Sequence, residues 1–302
     1  MPGIITQQRV KDATVGFQTV FNKAMQETPS DWPKVAMKTQ SQSAKEVYAW
    51  LQNTFGMKEL IGEAIIEGLK GSSYELPNKE FHDTKAVKQA DLERDNEGIY
   101  SPMFAMMGAG ASRAYEELVF DRLVNGFTLK GYDDKAFFHA SHPTGYKSET
   151  FSNLGTKKIS GANFDAARQA LRKVKAANGK PWGFGRKLLL VVSPTYETTA
   201  RHFLNDEFAS GGETNPYRGA AELLVTSFTL ENEHAWFLLE VGWPVKPLLL
   251  QEEKPVTITS VNSPDDSYVL LNHEFLYQAY GRYNAGYGLP QMAWGSTGAD
   301  AA

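Results

Sequence analysis

The chain has 302 residues, 42% hydrophobic and 22% charged, a composition ordinary for a folded globular protein with ample material for a core. A net charge of −4 and a pI of about 5.9 give none of the global basic character that advertises nucleic-acid binding. With no cysteine, disulfides and thiolate metal sites are excluded. The N-terminus lacks the apolar core of a signal peptide, and the longest apolar run, near 188–192, is far too short to span a bilayer.

In chain order, residues 1–33 read as an arm. Phe17, Val20, Phe21 and Ala24 form one face of a short helix closed by Pro29, and Trp32-Pro33 leads into an extended piece at 35–39. Residues 44–51 are expected to form a second short helix, with Val47, Trp50 and Leu51 apolar. A polar β-hairpin is expected over about 61–93, where Tyr74-Glu-Leu76 and Phe81-His-Asp83 flank the turn residues Pro77-Asn78. The flanks are rich in charge, and isolated two-stranded hairpins are marginal in water. Such a segment is either a loose loop or a cover for a neighbouring subunit.

One long helix is expected over 101–125. Ser101 suits an N-cap, Pro102 the first helical position and Asn125-Gly126 a left-handed stop. Phe104, Met107, Ala111, Tyr115, Leu118, Val119 and Leu123 recur at helical steps. Such a helix is about 36 Å long. Gly108 and Gly110 weaken it but let another backbone approach closely. A polar hairpin, an overlong helix and an arm are elements that finish their burial against copies of the same chain, which points to an assembly protein.

Residues 127–160 read as irregular, with turns at 131–134 and 141–145. From 160 the pattern becomes compact α/β. Phe164, Ala167, Leu171 and Val174 mark a helix ending at Asn178-Gly179; a buried strand at 187–192 and a helix from Ser193-Pro194 to about 208 follow. Strands are expected at 222–227, 235–240, 248–251, 256–261 and 268–280, and the last residues, 295–302, as a polar tail with nothing to order it.

Candidate chemistry is sparse. His139 and His142, near Asp133 and Asp134, are the one cluster of metal-like composition, but Ser141 and Pro143 argue against the helix that would align them. No glycine-rich phosphate loop follows the strand at 188, and no nucleophile elbow is present. The aromatic run Tyr277, Tyr280, Tyr283 and Tyr287 has only Arg282 among it and reads as sheet packing rather than base stacking. No catalytic, cofactor-binding or metal residue is therefore assigned, and the rival reading is a soluble α/β hydrolase or metal enzyme using His139 and His142.

Several segments together resemble one family, the major head (capsid) subunit of Mu-like tailed phages, the T protein family. They are Trp32-Pro33-Lys-Val-Ala-Met37; Tyr48-Ala-Trp50-Leu51 with Lys58-Glu59-Leu60-Ile61-Gly62-Glu63; Tyr74 to Phe81 with Asp91-Leu92 and Gly98-Ile-Tyr100-Ser-Pro102; Tyr132-Asp-Asp-Lys-Ala-Phe137-Phe138 with His142-Pro143; Trp236-Phe-Leu-Leu239; and Lys246-Pro247-Leu-Leu-Leu-Gln251. The likeness covers about 30–290. Asp133-Asp134 stands where the family has an Asp-Gly turn, and Leu60 where it often has Trp.

The resemblance implies an α+β chain with the tailed-phage (Hong Kong 97 type) capsid fold. It divides the chain into 1–58, N-arm and lead-in to the peripheral domain; 59–98, extended loop; 99–126, spine helix of the peripheral domain; 127–252, axial domain; and 253–302, return to the peripheral domain and C-terminal tail. It implies self-assembly as hexamers and pentamers into an icosahedral head around double-stranded DNA, held by weak non-specific contact. Partners would be a separate scaffolding protein, since the chain begins at Met1, a portal and a decoration protein, with no membrane. The location would be the virion capsid, assembled in the bacterial host cytoplasm. Candidate inter-subunit contacts are Phe17, Phe21, Trp32, Tyr74, Leu76, Asn78, Lys79, Phe81, Lys85 and Lys88. Lys70, Lys79, Lys85 and Lys88 offer amines for a covalent cross-link, but non-covalent assembly is expected.

Overall fold

The computed structural model describes residues 6–48, 51, 74–93, 97–208, 212–263 and 265–300. Its helices and strands run α1 (Gln7–Glu27), α2 (Trp32–Val35), β1 (Ala36–Gln40), β2 (Lys45–Val47), β3 (Glu75–Pro77), β4 (Lys79–Lys88), α3 (Gln89–Glu93), α4 (Glu97–Val124), β5 (His142–Pro143), β6 (Thr150–Phe151), β7 (Leu154–Lys157), α5 (Gly161–Lys173), β8 (Leu188–Val192), α6 (Glu197–Asn205), β9 (Glu222–Val225), β10 (Trp236–Glu240), β11 (Leu248–Val261), α7 (Ser267–Asn272), β12 (Glu274–Tyr287) and β13 (Ala293–Asp300). Residues 49–50 and 52–73, with Trp50 of the expected second helix, Leu60, and the first part of the expected hairpin including Lys70, lie outside the described residues.

Two sheets organise the chain. The first has strand order β1-β11-β12-β4; the second has order β7-β13-β10-β8-β9. In the first, β11 and β12 form a long antiparallel pair, β1 joins β11 in parallel and β4 joins β12 antiparallel. Because strand side chains alternate, Phe275, Tyr277, Tyr283, Ala285 and Tyr287 of β12 all face one side. There they meet α4, with the Tyr283 ring 4.5 Å from that of Tyr115 and the Tyr277 ring 5.0 Å from that of Phe104. The C-terminal half of α4, through Val119, Phe120 and Leu123, shares one apolar core with both sheets. The other face of the second sheet is covered by α5 and α6, through Phe164, Ala167, Leu171, Ala200 and Leu204.

α4 starts at Glu97, so Ser101 is not its N-cap and Pro102 lies inside it. The proline lacks the N–H that would reach the Gly98 carbonyl. The stop is not left-handed. Gly126 sits in a 3-10 turn (Asn125–Phe127), and what it supplies is space, since a Cβ there would lie 2.7 Å from the Phe138 ring. Gly108 does what its small size suggests: a Cβ would meet the Phe21 carbonyl at 2.3 Å, so α1 crosses α4 nearly backbone to backbone.

Other expectations are corrected. Residues 45–47 form a strand, not part of a helix, and β2 pairs with β3. Pro77-Asn78 is not a hairpin turn, because β3 and β4 belong to different sheets. The Asn78 amide donates to the Ser43 carbonyl at 2.8 Å and the Ser41 hydroxyl at 2.9 Å, which turns the chain from one sheet into the other. Despite its charge, β4 packs on its own chain because Phe81 and Val87 fall on one side of the strand; Phe81 stacks on Tyr283 at 4.4 Å. α5 ends at Lys173, before Gly179, whose positive φ of 78° serves a later turn. Residues 267–272 are helical, because Asp266 caps the Tyr268 N–H at 2.9 Å and His273 closes the turn at φ 52°.

The C-terminal segment is also ordered. β13 lies between β7 and β10 in the second sheet. Gly295 leaves room for the Phe138 ring, Gly298 adopts φ 61° against the His234 carbonyl, and the Ser296 hydroxyl donates to the Lys157 carbonyl at 2.6 Å.

Candidate functional site

The features that distinguish this fold from a closed monomer lie on the first sheet and its helices. Along α4, residues 98–112 carry no charge. One face of that stretch is buried through Phe104 and Met107 against α1 and β12. The opposite face leaves Ile99 and Met106 71% and 72% exposed. A helix apolar all round is normally buried, so this uncovered outer face is unusual for a surface helix. At the far end of the β11–β12 pair, α7 leaves Leu270 and Leu271 exposed. β4 forms one edge of its sheet.

The opposite face of the first sheet receives β2 and β3. Thr39, Gln251 and Asn284 lie side by side across β1, β11 and β12. These polar side chains bond to β2 and β3 and their flanks.

On the helix side of the sheet, Glu252 is buried at the level of Tyr115. It receives the Tyr115 hydroxyl at 3.0 Å and the Lys38 ammonium at 2.6 Å. Burial, then the Glu252 charge, pushes the Tyr115 phenol well above its ordinary range, so it stays a proton donor and ties α4 to β11.

The predicted contact residues divide in two. Phe17 and Phe21 are buried within the chain, Phe17 stacking on Phe104 at 4.2 Å. The arm therefore packs on its own α4. Leu76 is buried too, and Trp32, Tyr74, Asn78 and Phe81 are half-buried, with Trp32 6.3 Å from the Tyr115 ring. Lys79 and Lys88 are exposed on β4, and Lys85 pairs with Asp83 at 2.7 Å.

His139 and His142 do come together, their rings 5.7 Å apart. His142 is buried and its Nδ1 lies 2.6 Å from Asp133 Oδ2, which braces the turn at 131–134 against β5. Asp134 takes a left-handed φ of 60° in that turn. Among the described residues no group of three or more His, Asp or Glu side chains is placed to hold a metal ion. Likewise, no described helix is long and apolar enough to cross a membrane.

Residues 10–161, 154–230 and 228–300 match the sequence profile of the family described as Mu-like prophage major head subunit gpT. The chain belongs to this family. It is 26% identical to the Mu-like prophage FluMu major head subunit of Haemophilus influenzae over 289 residues, 96% of this chain and 73% of that one. It is also 26% identical to the major capsid protein of Escherichia phage Mu over 290 residues, covering 96% and 74% of the two chains. Among solved structures, a chain of the procapsid of bacteriophage JBD30 superimposes with a TM-score of 0.65 at 26% identity, over 97% of this chain and 76% of that one. A virus-like particle of Pyrococcus furiosus, at 10% identity, shares the fold with a TM-score of 0.52 over 97% of this chain and 100% of that one. The fold is thus the Hong Kong 97 type capsid fold and the chain is a major head subunit.

Proposed function

We propose that copies of this subunit associate as hexamers and pentamers and close into an icosahedral head that encloses double-stranded DNA. The observation that carries the proposal is the near full-length match to a chain of the JBD30 procapsid. The uncovered apolar side chains Ile99, Met106, Leu270 and Leu271 support it, because each becomes buried once neighbours are present. Small contacts repeated over every copy then sum by multivalency. The edge strand β4 presents Lys79 and Lys88, and beside them Lys85, to a neighbour without any rearrangement of the subunit. Residues 48–74, between β2 and β3, supply a further contact to the adjacent subunit.

A net charge of −4 suits a wall that holds packaged DNA weakly, since attraction to phosphates scales with the Lys and Arg that neutralise them. Lys and Arg of the arm supply what contact there is. A separate scaffolding protein, a portal and a decoration protein complete the head, which assembles in the bacterial cytoplasm without covalent cross-links.

Negative-stain microscopy of the purified chain, alone and with its scaffolding protein, tests the proposal, with Met106→Lys as the paired variant. Closed shells from the natural chain, and their loss in a variant that still unfolds cooperatively, are expected. Normal shells from Met106→Lys would remove the α4 face from the assembly surface. Failure of the natural chain to form rings or shells under any condition would overturn the proposal itself.

A further inference from the structure

The four-stranded sheet carries a polar row where a core would be apolar. Thr39, Gln251 and Asn284 are neighbours in register across β1, β11 and β12. Gln251 is completely buried, and its three polar contacts all go to the two stems, β2 and β3 with their flanks. Its carbonyl accepts the Tyr48 hydroxyl at 2.9 Å, and its amide donates to the Leu76 carbonyl at 3.0 Å and to Asn78 Oδ1 at 2.8 Å. The Tyr48 hydroxyl also lies 2.9 Å from that of Thr39.

The neighbouring strand completes the fit. The Asn284 amide donates to the Pro77 carbonyl at 2.6 Å, and the Tyr287 N–H donates to the Tyr74 hydroxyl at 2.8 Å. Gly286 is bare because any Cβ there would fall 2.8 Å from the Leu76 side chain. One stem is thus held through Tyr48, the other through Leu76, Pro77 and Asn78, and Gln251 bonds both.

We infer that Gln251 is the positioning residue for the two stems, fixing on the sheet the described ends, Tyr48 and Tyr74, of the segment between them. The two stems meet each other in a three-residue ladder, extended by the Asn78 amide's bonds to Ser41 and Ser43. Such a ladder sets no direction relative to the sheet, whereas three directed hydrogen bonds from one buried amide do. Burying an amide rather than Leu or Met costs stability unless every bond is made, so the residue specifies one arrangement of the stems. The inference rests on the proposed reading that this segment contacts a neighbouring subunit.

The test uses the full chain with Gln251→Leu and, because that variant changes a buried position, Asn78→Ala as a second variant at the half-buried edge of the same network. Amide hydrogen exchange is read by mass spectrometry on the unassembled subunit, and particle shape by microscopy. In both variants exchange at 45–48 and 74–78 should rise about tenfold or more, with β8 and β10 unchanged, as for a local opening. Uniform shells should give way to irregular particles. Unchanged exchange at the stems in both variants would overturn the inference. So would raised exchange with shells as uniform as those of the natural chain, which would leave Gln251 a structural residue only. Absence of shells from the natural chain would count against the proposed assembly, while the exchange readout would still decide whether Gln251 holds the stems.

Discussion

Glu240 is a fully buried carboxylate held by backbone alone at its closest contacts. Oε2 accepts the N–H groups of Gly185 and Arg186 at 2.7 and 2.9 Å, and Oε1 those of Lys187 and Gly242 at 3.3 and 2.9 Å. It thereby pins the loop before β8 to the end of β10. Glu240→Gln turns an NH2 group toward two of those donors and should cost about 2–3 kcal/mol. Denaturant unfolding, with an unchanged m-value, checks it. Glu46 is the surface counterpart: the Gln42 N–H, then the Ser41 and Ser43 hydroxyls, hold its carboxyl below the model-peptide value of 4.5. A lowered folded-state pKa contributes stability that is present above the unfolded value and lost as pH falls through the folded one. Exchange protection at 41–47 should therefore be full at neutral pH and fall as the pH drops below the ordinary carboxylate range; protection that stays flat on acidification would contradict this. Neither residue is conspicuous in the sequence, nor is Gln251, because a buried polar group shows only when its partners, far away along the chain, are known.

At the scale of elements, the two glycines of α4 should behave oppositely. Gly108→Ala drives a methyl into the Phe21 carbonyl and should destabilise by about 1–3 kcal/mol. Gly110→Ala meets nothing within 4 Å and should stabilise by about 0.5–1 kcal/mol, the helix-propensity gain. Thermal unfolding of the pair checks both signs; a shared sign would mean that α1 does not cross α4 at Gly108. The long helix, the arm helix and the strands at β8 and β10 were legible because each repeats its apolar residues at one period over many positions. Boundaries were not. The start of α4 was hidden by Pro102, which mimics a first-turn proline. The strand at 45–47 and the order of β13 were hidden because their stability comes from partners more than twenty residues away, Glu75–Pro77 in one case and β7 and β10 in the other. The supposed hairpin failed for the same reason: Pro77-Asn78 has turn chemistry, but Phe81 and Val87 commit β4 to β12.

At the scale of the whole molecule, the sequence carried the assembly character better than its geometry. The overlong helix, the arm and the polar stretch before it pointed to assembly, and the capsid family is visible from the order of many modest motifs. Which residues meet a neighbour was less legible. Phe17, Phe21 and Leu76 are apolar enough to suggest interfaces, yet the chain uses them itself, because periodicity reports burial without saying by whom. Among the apolar side chains that remain uncovered, Ile99, Met106, Leu270 and Leu271 stand out only once the intramolecular contacts are complete.

The central claim is that the folded chain is a subunit whose work is association through surfaces a monomer leaves bare. Light scattering of the purified protein across protein concentration and salt, for the natural chain and for one lacking residues 52–73, tests it most directly. The account predicts particles of uniform mass far above the 33.5 kDa of one chain, formed with scaffolding protein where required, and a deletion variant that folds but stays small. A natural chain that remains at 33.5 kDa throughout, with or without scaffolding protein, would contradict it.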